Sequence, residues 1–263
     1  MTYLDKYKEL LTEERLDKVY HEVIGHIRTW FETNGGSNSV AVIGISGGKD
    51  STVSAKLLVD ALGADRVFGV LMPNGTQSDI EDSHKVCELL GIDYEVINID
   101  CAFNALTSAI HRIMDLSDTT LVNLAPRLRM ATLYAVAQSI PNKAFVVNTC
   151  NASEDYVGYS TKWGDNVGDY SVLRRFLVSD VVAMGDYLGL PKYLVHKIPS
   201  DGLCGLSDEE NLGVSYDEID EFILFTNKQW DDCELSPLTK LHADLIEEKH
   251  KASLHKDIVL PYC

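Results

Sequence analysis

The residues with the clearest potential for chemistry are the six from Ser46 to Ser51, which read Ser-Gly-Gly-Lys-Asp-Ser. The two glycines let the backbone approach a phosphate without a Cβ in the way, and the two serines add hydroxyl donors. Asp50 does not fit a plain anion site, because a carboxylate beside a triphosphate would repel it. The conflict disappears if Asp50 holds Mg²⁺ against the phosphates. The segment therefore predicts a site for Mg²⁺ and a phosphate chain.

The segments on either side of these six residues are those that build such a site. An apolar run at 40–45 predicts a β-strand, and apolar residues at helical spacing over 52–62 predict a helix. The N–H groups at a helix start are unpaired, and the helix dipole adds partial positive charge there. Strand, glycine turn and helix together favour anion binding at Ser46–Ser51.

Strand-like and helix-like segments alternate up to residue 149. Further strands are predicted at 66–72, 94–99 and 144–149, and helices at 78–90, 101–115 and 119–139. This alternation predicts an α/β fold with a doubly wound parallel sheet flanked by helices. Ligand sites of such sheets lie beyond the carboxyl ends of the strands. Functional residues are therefore expected just after positions 45, 72, 99 and 149.

The rest of the chain is expected to extend a single domain over residues 1–263. Two helical stretches are predicted within 1–33, and further helices at 175–189, 215–226 and 236–250. Residues 151–170 and 199–214 are rich in turn-forming residues, and both are expected to be loops. Long loops inside a compact domain are uncommon unless they have a function, so both are expected to contact ligands.

The charge of the chain limits its partners. The formal net charge is −17, and such a surface repels nucleic acid and anionic membranes at range. No apolar stretch approaches the roughly 20 residues that span a bilayer, and the N-terminus does not have the pattern of a signal peptide. We therefore expect a cytoplasmic protein that binds neither nucleic acid nor membrane.

The six cysteines are scattered along the chain without a C-x-x-C pair. This spacing argues against a zinc or iron–sulfur site and against a disulfide framework. Free thiols in a reducing compartment are the expected state. Cys150 is the exception of interest, because it lies within a motif.

Several motifs carry a resemblance to a known family. Ser46–Ser51 resembles the SGGxDS signature of the PP-loop ATP pyrophosphatases and lacks the spacing of a Walker loop. Downstream segments resemble motifs of the NAD synthetases, namely 123–130 (NLAPRLRM), 149–154 (TCNASE), 158–165 (GYSTKWGD), the segment 207–220 and the pair 255–256. Each motif alone is of limited specificity, whereas together they cover most of the chain.

The resemblance implies a Rossmann-like, adenine nucleotide alpha-hydrolase-like fold and an ammonia-dependent NAD⁺ synthetase. Such an enzyme amidates deamido-NAD⁺ to NAD⁺ with ATP and ammonia, through a substrate adenylate, and releases AMP and pyrophosphate. It implies Mg²⁺ as cofactor and a homodimer with the dinucleotide near the interface. Only 39 residues precede the first predicted strand, too few for the glutaminase domain that some members carry.

The resemblance also implies roles for individual residues. The implied catalytic residues are Asp50, Glu154 and Lys162, with Mg²⁺ shared by Asp50 and Glu154. The implied ATP-binding residues are Gly44, Ile45, Ser46, Gly47, Gly48, Lys49, Asp50, Ser51, Gln77, Thr149 and Ser200. The implied deamido-NAD⁺-binding residues are Arg127, Lys162, Asp169, His255 and Lys256.

Plainer interpretations compete with these roles at several positions. Arg127 fits the solvated face of a helix, Lys162 an exposed loop lysine, and Asp169 a turn residue. Glu154 fits a helix N-terminus, where a carboxylate is stabilising, and His255 fits an ordinary surface histidine.

The sequence departs from the family pattern at three places. Leu71 stands where members usually have an arginine, and Val178 stands where many have a lysine that meets the ATP phosphates. The usual P-[ST]-A-D-L segment reads Pro-Ser-Asp-Gly-Leu at 199–203, which shifts its carboxylate by one residue. Arg174 or Arg175, one helical turn before Val178, is a candidate to replace the missing cations.

Two other functions fit part of the pattern. The first is another PP-loop enzyme that adenylates a different substrate before amination or thiolation. The acidic net charge and the scattered cysteines argue against tRNA as that substrate. The second is a non-catalytic nucleotide-binding sensor, which Leu71 and Val178 allow but the intact Asp50 and Glu154 argue against.

Overall fold

Five parallel strands form the centre of the molecule. The computed structural model describes residues 1–197 and 207–256. The strands are β1 (Val40–Gly44), β2 (Val67–Leu71), β3 (Asp93–Val96), β4 (Ala144–Asn148) and β5 (Tyr170–Ser171). Their order across the sheet is β3-β2-β1-β4-β5, and each neighbouring pair is parallel. The predicted parallel α/β sheet is confirmed.

Helices surround this sheet and continue after its last strand. In the described ranges they are α1 (Tyr3–Leu10), α2 (Glu13–Gly35), α3 (Lys49–Leu62), α4 (Ile80–Leu90), α5 (Asp100–His111), α6 (Asp118–Ser139), α7 (Ala152–Val157), α8 (Val178–Tyr187), α9 (Lys192–Val195), α10 (Asp208–Leu212), α11 (Tyr216–Thr226) and α12 (Pro237–Ser253). Short 3₁₀ turns occupy Ala64–Arg66 and Leu254–Lys256. No described helix is both long enough and apolar enough to cross a bilayer.

The two faces of the sheet carry separate apolar cores, as a doubly wound fold requires. Alternate side chains of β1 serve them: Ile43 packs with Phe31 of α2 and Leu57 of α3, whereas Val42 packs with Leu133 of α6. Phe31, Leu57 and both strand residues are fully buried. Because both faces are covered, the central strands are apolar throughout instead of alternating.

A third apolar cluster joins α7, α10, α11 and α12. Ile219 of α11 and Ile246 of α12 are fully buried in it, and Val157 of α7 and Leu212 of α10 complete it. Since α7 follows β4 almost directly, this helical unit is attached to the carboxyl end of the central strands. It therefore supports the edge of the sheet at which ligand sites are expected.

Most predicted elements are confirmed, including the two N-terminal helices and four strands, and the elements not predicted are α9 and those within the segments predicted as loops. Segment 151–170 contains α7 and the first residue of β5, and segment 199–214 contains α10. These elements span six, two and five residues. They are too short for an apolar period to mark them, and capping and tertiary contacts form them instead.

Candidate active site

The site is built where the sheet changes direction. From β1 the chain moves to β2 on one side, and β4 returns to the other side of β1. The helix α3 that leads from β1 to β2 packs on one face of the sheet, whereas α6, which leads into β4, packs on the other. A crevice is therefore expected between the carboxyl ends of β1 and β4, which is where open α/β sheets bind ligands. Ser46–Ser51 follows β1 and Thr149–Glu154 follows β4, as the sequence predicts.

The segment Ser46–Ser51, here called the phosphate loop, is shaped to leave amide groups open. Gly47 has a φ of +75°, and a Cβ there would lie 2.9 Å from Asp82 Cβ, so this position favours glycine on two grounds. Gly48 caps α3 without any side-chain hydrogen bond to the first turn. The N–H groups at this helix start therefore remain available to an anion.

Internal hydrogen bonds hold the phosphate loop. The hydroxyls of Ser46 and Ser51 lie 3.1 Å apart, the Ser46 N–H donates to Ser51 Oγ at 3.2 Å, and the Gly48 N–H donates to Ser46 Oγ at 3.3 Å. The preceding Ile45 continues β1 by donating its N–H to the carbonyl of Val70 at 3.0 Å. The loop is consequently fixed to the sheet before any ligand binds.

Asn151 joins the two strand ends. Its Nδ2 donates to Asp50 Oδ1 at 2.9 Å, and its Oδ1 accepts from the N–H groups of Ser153 and Glu154 at 3.0 Å. Glu154 Oε2 in return accepts the Asn151 N–H at 3.2 Å. This capping box starts α7 and links Asp50 and Glu154, which are more than a hundred residues apart in sequence, through one fully buried side chain.

The electrostatics of this pair are unusual because a cation lies beside it. The Lys49 side chain is 4% exposed, and its Nζ is 3.2 Å from Asp50 Oδ2. Burial alone would lower the pKa of Lys49, but the carboxylates of Asp50 and Glu154 outweigh it and raise that pKa. Burial and the negative charge of Asp50 raise the pKa of Glu154 well above its usual range. The two carboxylates therefore repel one another, a state that a divalent cation would relieve.

The donor set fits Mg²⁺ held together with phosphates. Mg²⁺ takes hard oxygen ligands and is commonly bound by one or two carboxylates plus substrate phosphates. Across residues 1–197 and 207–256, no group of three or more His, Cys, Asp or Glu side chains could hold a metal on its own. The carboxylates of Asp50 and Glu154, beside a loop that presents N–H groups, are thus suited to a metal that arrives with a nucleotide.

A second group of residues, here called the basic cluster, consists of Arg127, Lys162, His255 and Lys256. Arg127 Nε donates to the carbonyl of Lys162 at 3.2 Å, and Lys162 Nζ donates to the carbonyl of His255. Lys256 Nζ donates at 2.8 Å to the carbonyls of Gly158 and of Ser160. None of the four forms an ion pair within the described ranges, so the positive charges of Arg127, Lys162 and Lys256 are available to an anionic ligand.

Other predicted positions lie elsewhere. Asp169 accepts from the Val146 N–H at 2.8 Å and from the Tyr134 hydroxyl at 3.3 Å, so the structure does not bring it into contact with the basic cluster. Gln77 donates to Asp79 Oδ1 at 2.9 Å. Thr149 is half-buried directly after β4, and Gly44 ends β1. Ser200 lies outside the described residues.

The positions that depart from the family pattern have structural explanations. Leu71 is fully buried at the end of β2, and Val178 begins α8, where its N–H donates to Ser153 Oγ at 3.0 Å. Arg174 Nη1 pairs with Asp155 Oδ2 at 3.1 Å, one residue beyond Glu154. The guanidinium of Arg174, one of the two candidates, therefore lies next to α7, the helix that carries Glu154.

Two residues to which the sequence analysis gave no role support the site. Asn151 was visible only as part of a motif, although its spacing to Glu154 is that of a capping box. Asp220 of α11 is fully buried and accepts from Ser153 Oγ, from the Ser179 N–H at 2.8 Å and from Ser179 Oγ at 2.6 Å. It thereby ties the start of α7 to the start of α8.

Cys150 lies in the motif after β4 but is buried, and its Sγ donates to the carbonyl of Asp165 at 3.3 Å. Burial and the nearby carboxylate of Asp165 raise the pKa of this thiol well above its usual range. A thiol in this state is a poor nucleophile, so the residue fills space at the site.

Comparisons with known proteins agree with this geometry. A family model described as NAD synthase matches residues 19–258. The chain is 42% identical over 183 residues to an NH(3)-dependent NAD(+) synthetase of Thermococcus kodakarensis, covering 69% of this chain and 70% of the relative. It is 39% identical over 208 residues to a protein of the same name from Pyrococcus horikoshii, covering 79% and 77%.

Solved structures show the same likeness. An NMN synthetase from Francisella tularensis aligns with a TM-score of 0.79 and 31% identity, covering 95% of this chain and 98% of that one. An NH3-dependent NAD synthetase from Campylobacter jejuni, solved with a nitrate ion, aligns with a TM-score of 0.73 and 27% identity, covering 93% and 99%. With a family model over most of its length and relatives this similar, the chain belongs to the NAD synthase family.

Proposed function

We propose that this protein is a ligase that converts deamido-NAD⁺ to NAD⁺ with ATP and ammonia. The observation that carries the proposal is the pair Asp50 and Glu154, joined by Asn151 beside a phosphate loop with open N–H groups. In a chain of this family, that arrangement suits the splitting of ATP between its α- and β-phosphates.

The chemistry explains why ATP is needed. Ammonia cannot displace oxide from the nicotinate carboxylate, so a carboxylate oxygen of deamido-NAD⁺ first attacks the α-phosphorus of ATP and pyrophosphate leaves. Ammonia then attacks the carboxyl carbon of the acyl adenylate, a proton is lost, and AMP leaves with the original carboxylate oxygen. The first step brings two anions together, so alignment and neutralisation of charge dominate catalysis.

The residues of the chain divide this work between two regions. Mg²⁺ held by Asp50 and Glu154 would neutralise the pyrophosphate leaving group. The hydroxyls of Ser46 and Ser51 and the N–H groups of the first turn of α3 orient the phosphates. Arg127, Lys162 and Lys256 bind the anionic groups of deamido-NAD⁺, a task that suits charged donors. Of the three, Lys162 is the one proposed to act on the reacting carboxylate.

The remaining parts of the proposal concern ammonia, location and assembly. The names of the relatives are those of NH(3)-dependent enzymes, which supports free ammonia as the nitrogen source. Free thiols at Cys87, Cys101, Cys150 and Cys233 fit a cytoplasmic, reducing setting. Replacing ammonium by glutamine should abolish NAD⁺ formation by the purified chain.

A homodimer is supported by an apolar surface on α5 and α6. The described residues of α5 include none that is buried, although its composition is apolar. Ile113 and Met114 just after α5 are 79% and 61% exposed, and Leu121 and Val122 of α6 are also exposed. A second copy is the proposed partner, so Ile113→Asp should shift the mass measured by sedimentation from dimer to monomer.

The missing cations at Leu71 and Val178 leave a specific question about ATP. Arg174, which is already paired with Asp155 beside Glu154, and Arg175 are the candidates to replace them. Alanine at one of the two positions should raise the KM for ATP. An unchanged KM in both variants would remove the compensation hypothesis.

One assay tests the proposed reaction as a whole. Purified protein is mixed with Mg-ATP, deamido-NAD⁺ and ammonium, and NAD⁺ and AMP are measured; equal amounts of both are expected. AMP without NAD⁺ would favour a PP-loop enzyme with another acceptor. Neither product, despite ATP binding, would favour a nucleotide-binding sensor.

A second candidate substrate is favoured by one comparison. The solved neighbour from Francisella tularensis is named an NMN synthetase, and NMN lacks the adenylyl half of NAD⁺. For this chain the corresponding reaction would amidate nicotinic acid mononucleotide. The ratio of kcat/KM for deamido-NAD⁺ and for nicotinic acid mononucleotide decides between them, and our proposal requires a ratio well above one.

A further inference from the structure

Lys49 is a buried cation that the proposed mechanism does not use. Lysine is almost never fully buried unless it is paired, yet this side chain is 4% exposed with its Nζ 3.2 Å from Asp50 Oδ2. On the other side, the ring of Tyr216 has its centroid 5.4 Å from the same Nζ. The ammonium therefore lies between one carboxylate of the proposed metal site and an aromatic face.

The surroundings of Lys49 are also buried and belong to an ordered helix start. Tyr216 is 3% exposed, and its N–H donates to Glu209 Oε1 at 2.8 Å. The capping box of Ser215 and Glu218 fixes the start of α11, so the ring is held by the helical unit behind the site. Lys49 itself is the first residue of α3. Both the ammonium and its aromatic neighbour are therefore buried behind the phosphate loop.

The charge balance of the site follows from this position. When both are ionised, Asp50 and Glu154 carry two negative charges, and the buried ammonium cancels one of them. A divalent cation bound to the carboxylates of the free enzyme would lie within a few ångströms of a fixed positive charge and be repelled by it. The phosphates of ATP would bring further negative charge into the site. This charge would offset the ammonium of Lys49 and allow the divalent cation to bind.

We propose that Lys49 is a built-in counter-ion to the carboxylate pair that begins with Asp50 and that, in the nucleotide-free protein, it keeps free divalent cations out, so that the metal enters with ATP. This inference rests on the proposed function, because it takes Asp50 and Glu154 as the metal site. Lys49 is therefore a positioning residue that makes binding of the metal depend on binding of the nucleotide.

Binding of Mn²⁺ to the free protein tests the inference without any turnover. Mn²⁺ replaces Mg²⁺ as a probe, since the EPR signal of the free aquo ion disappears on binding, and mildly alkaline buffer keeps the carboxylates ionised. Without nucleotide, Lys49→Met should bind Mn²⁺ roughly tenfold more tightly than the wild type or more. With a non-hydrolysable ATP analogue, the difference between the two proteins should shrink.

The sign of this change separates the inference from a merely structural role. A lysine that only supports packing would give weaker metal binding when replaced, whereas a repelling counter-ion gives tighter binding. Lys49→Arg keeps the charge and should bind Mn²⁺ as weakly as the wild type. Lys49→Gln provides a second neutral side chain if the Met variant does not fold. Lys56→Met is the matched control, because Lys56 lies on the same helix and pairs with Asp60 at 2.5 Å; its Mn²⁺ affinity should not change.

Asp50→Asn distinguishes the two ways in which the idea can fail. If this variant loses Mn²⁺ binding in the presence of the ATP analogue, but the neutral Lys49 variants bind no more tightly than the wild type, the counter-ion role is wrong and the metal site stands. If Asp50→Asn binds Mn²⁺ with the ATP analogue as well as the wild type does, the proposed metal site is wrong and the inference falls with it.

Discussion

The two halves of the candidate site are held in different ways. The carboxylates of Asp50 and Glu154 stand at the ends of adjacent central strands and are joined by the buried Asn151. The basic cluster is assembled from α6, the loop before β5 and the C-terminal 3₁₀ turn, through hydrogen bonds to backbone carbonyls. The first half is set by the sheet, and the second by how distant segments fold over it. Substitutions should accordingly affect turnover in the first half and affinity for the dinucleotide in the second.

The largest effect is expected from Asp50→Asn. The amide keeps the shape of the side chain but removes the charge that binds Mg²⁺, so turnover should fall by about a thousandfold. Steady-state NAD⁺ formation at saturating substrates measures it, and circular dichroism checks the fold. A variant with near-normal kcat would contradict the claim that substitutions at the carboxylate pair act on turnover.

Asn151→Ala should give the next largest effect. It breaks the link to Asp50 and removes the cap of α7, so kcat should fall by about 10- to 100-fold and the free energy of unfolding by about 1 kcal/mol. Ser236→Ala is the control, because Ser236 caps α12 in the same way but lies outside the site. The control should lose the same stability and keep its kcat; an equal loss of kcat in both would contradict the bridging role.

Substitution in the basic cluster should act on affinity. Lys256→Ala removes the ammonium of a half-buried lysine that donates to the Gly158 and Ser160 carbonyls. The KM for deamido-NAD⁺ should therefore rise by about tenfold. The KM for ATP should change little. Lys251→Ala, on the exposed face of α12 where Lys251 pairs with Glu247, is the matched control. A fall in kcat without a change in KM would place Lys256 with the carboxylate half instead.

The smallest effect concerns Asp220, which supports the carboxylate half from behind. Burial raises the pKa of this carboxyl to about 6, above its value of about 3.9 in an unfolded chain. The folded state therefore binds the proton more tightly, and the contribution of Asp220 to stability is greatest below the unfolded pKa and is lost as the pH rises through about 6. Relative to Asp220→Asn, the wild type should gain about 1 kcal/mol as the pH falls from about 7 to about 5. Urea unfolding of both proteins measures this difference, and parallel pH profiles would contradict it.

Most of the sheet and the meeting of Asp50 with Glu154 are predictable from sequence. The strands are apolar runs at regular intervals, and the rule that ligand sites lie beyond their carboxyl ends brings residues 50 and 154 to one edge. Three short elements in the segments predicted as loops were missed for a physical reason. The six residues of α7, the five of α10 and the two of β5 depend on caps or on one neighbouring strand, which leave no periodic pattern.

The burial of Lys49 beside Asp50 and the hydrogen bond from Asn151 to Asp50 were not predictable, because they depend on tertiary contacts. A lysine at the start of a helix is expected to be exposed. Only the packing of α11 places the ring of Tyr216 over Lys49. Asp169 shows the converse, since its motif groups it with the basic cluster whereas its carboxylate binds the Val146 N–H. Motif spacing indicates which residues matter in a family, but only packing shows what each side chain contacts.

The most direct test of the account is a crystal structure of the protein with Mn²⁺ and a non-hydrolysable ATP analogue, with the metal located by its anomalous signal. The account predicts one metal peak within roughly 2.0–2.3 Å of oxygens from both Asp50 and Glu154 and of a phosphate oxygen, with the phosphates against the Ser46–Ser51 amides. A metal bound by phosphates alone, with the two carboxylates turned away from it, would contradict the account.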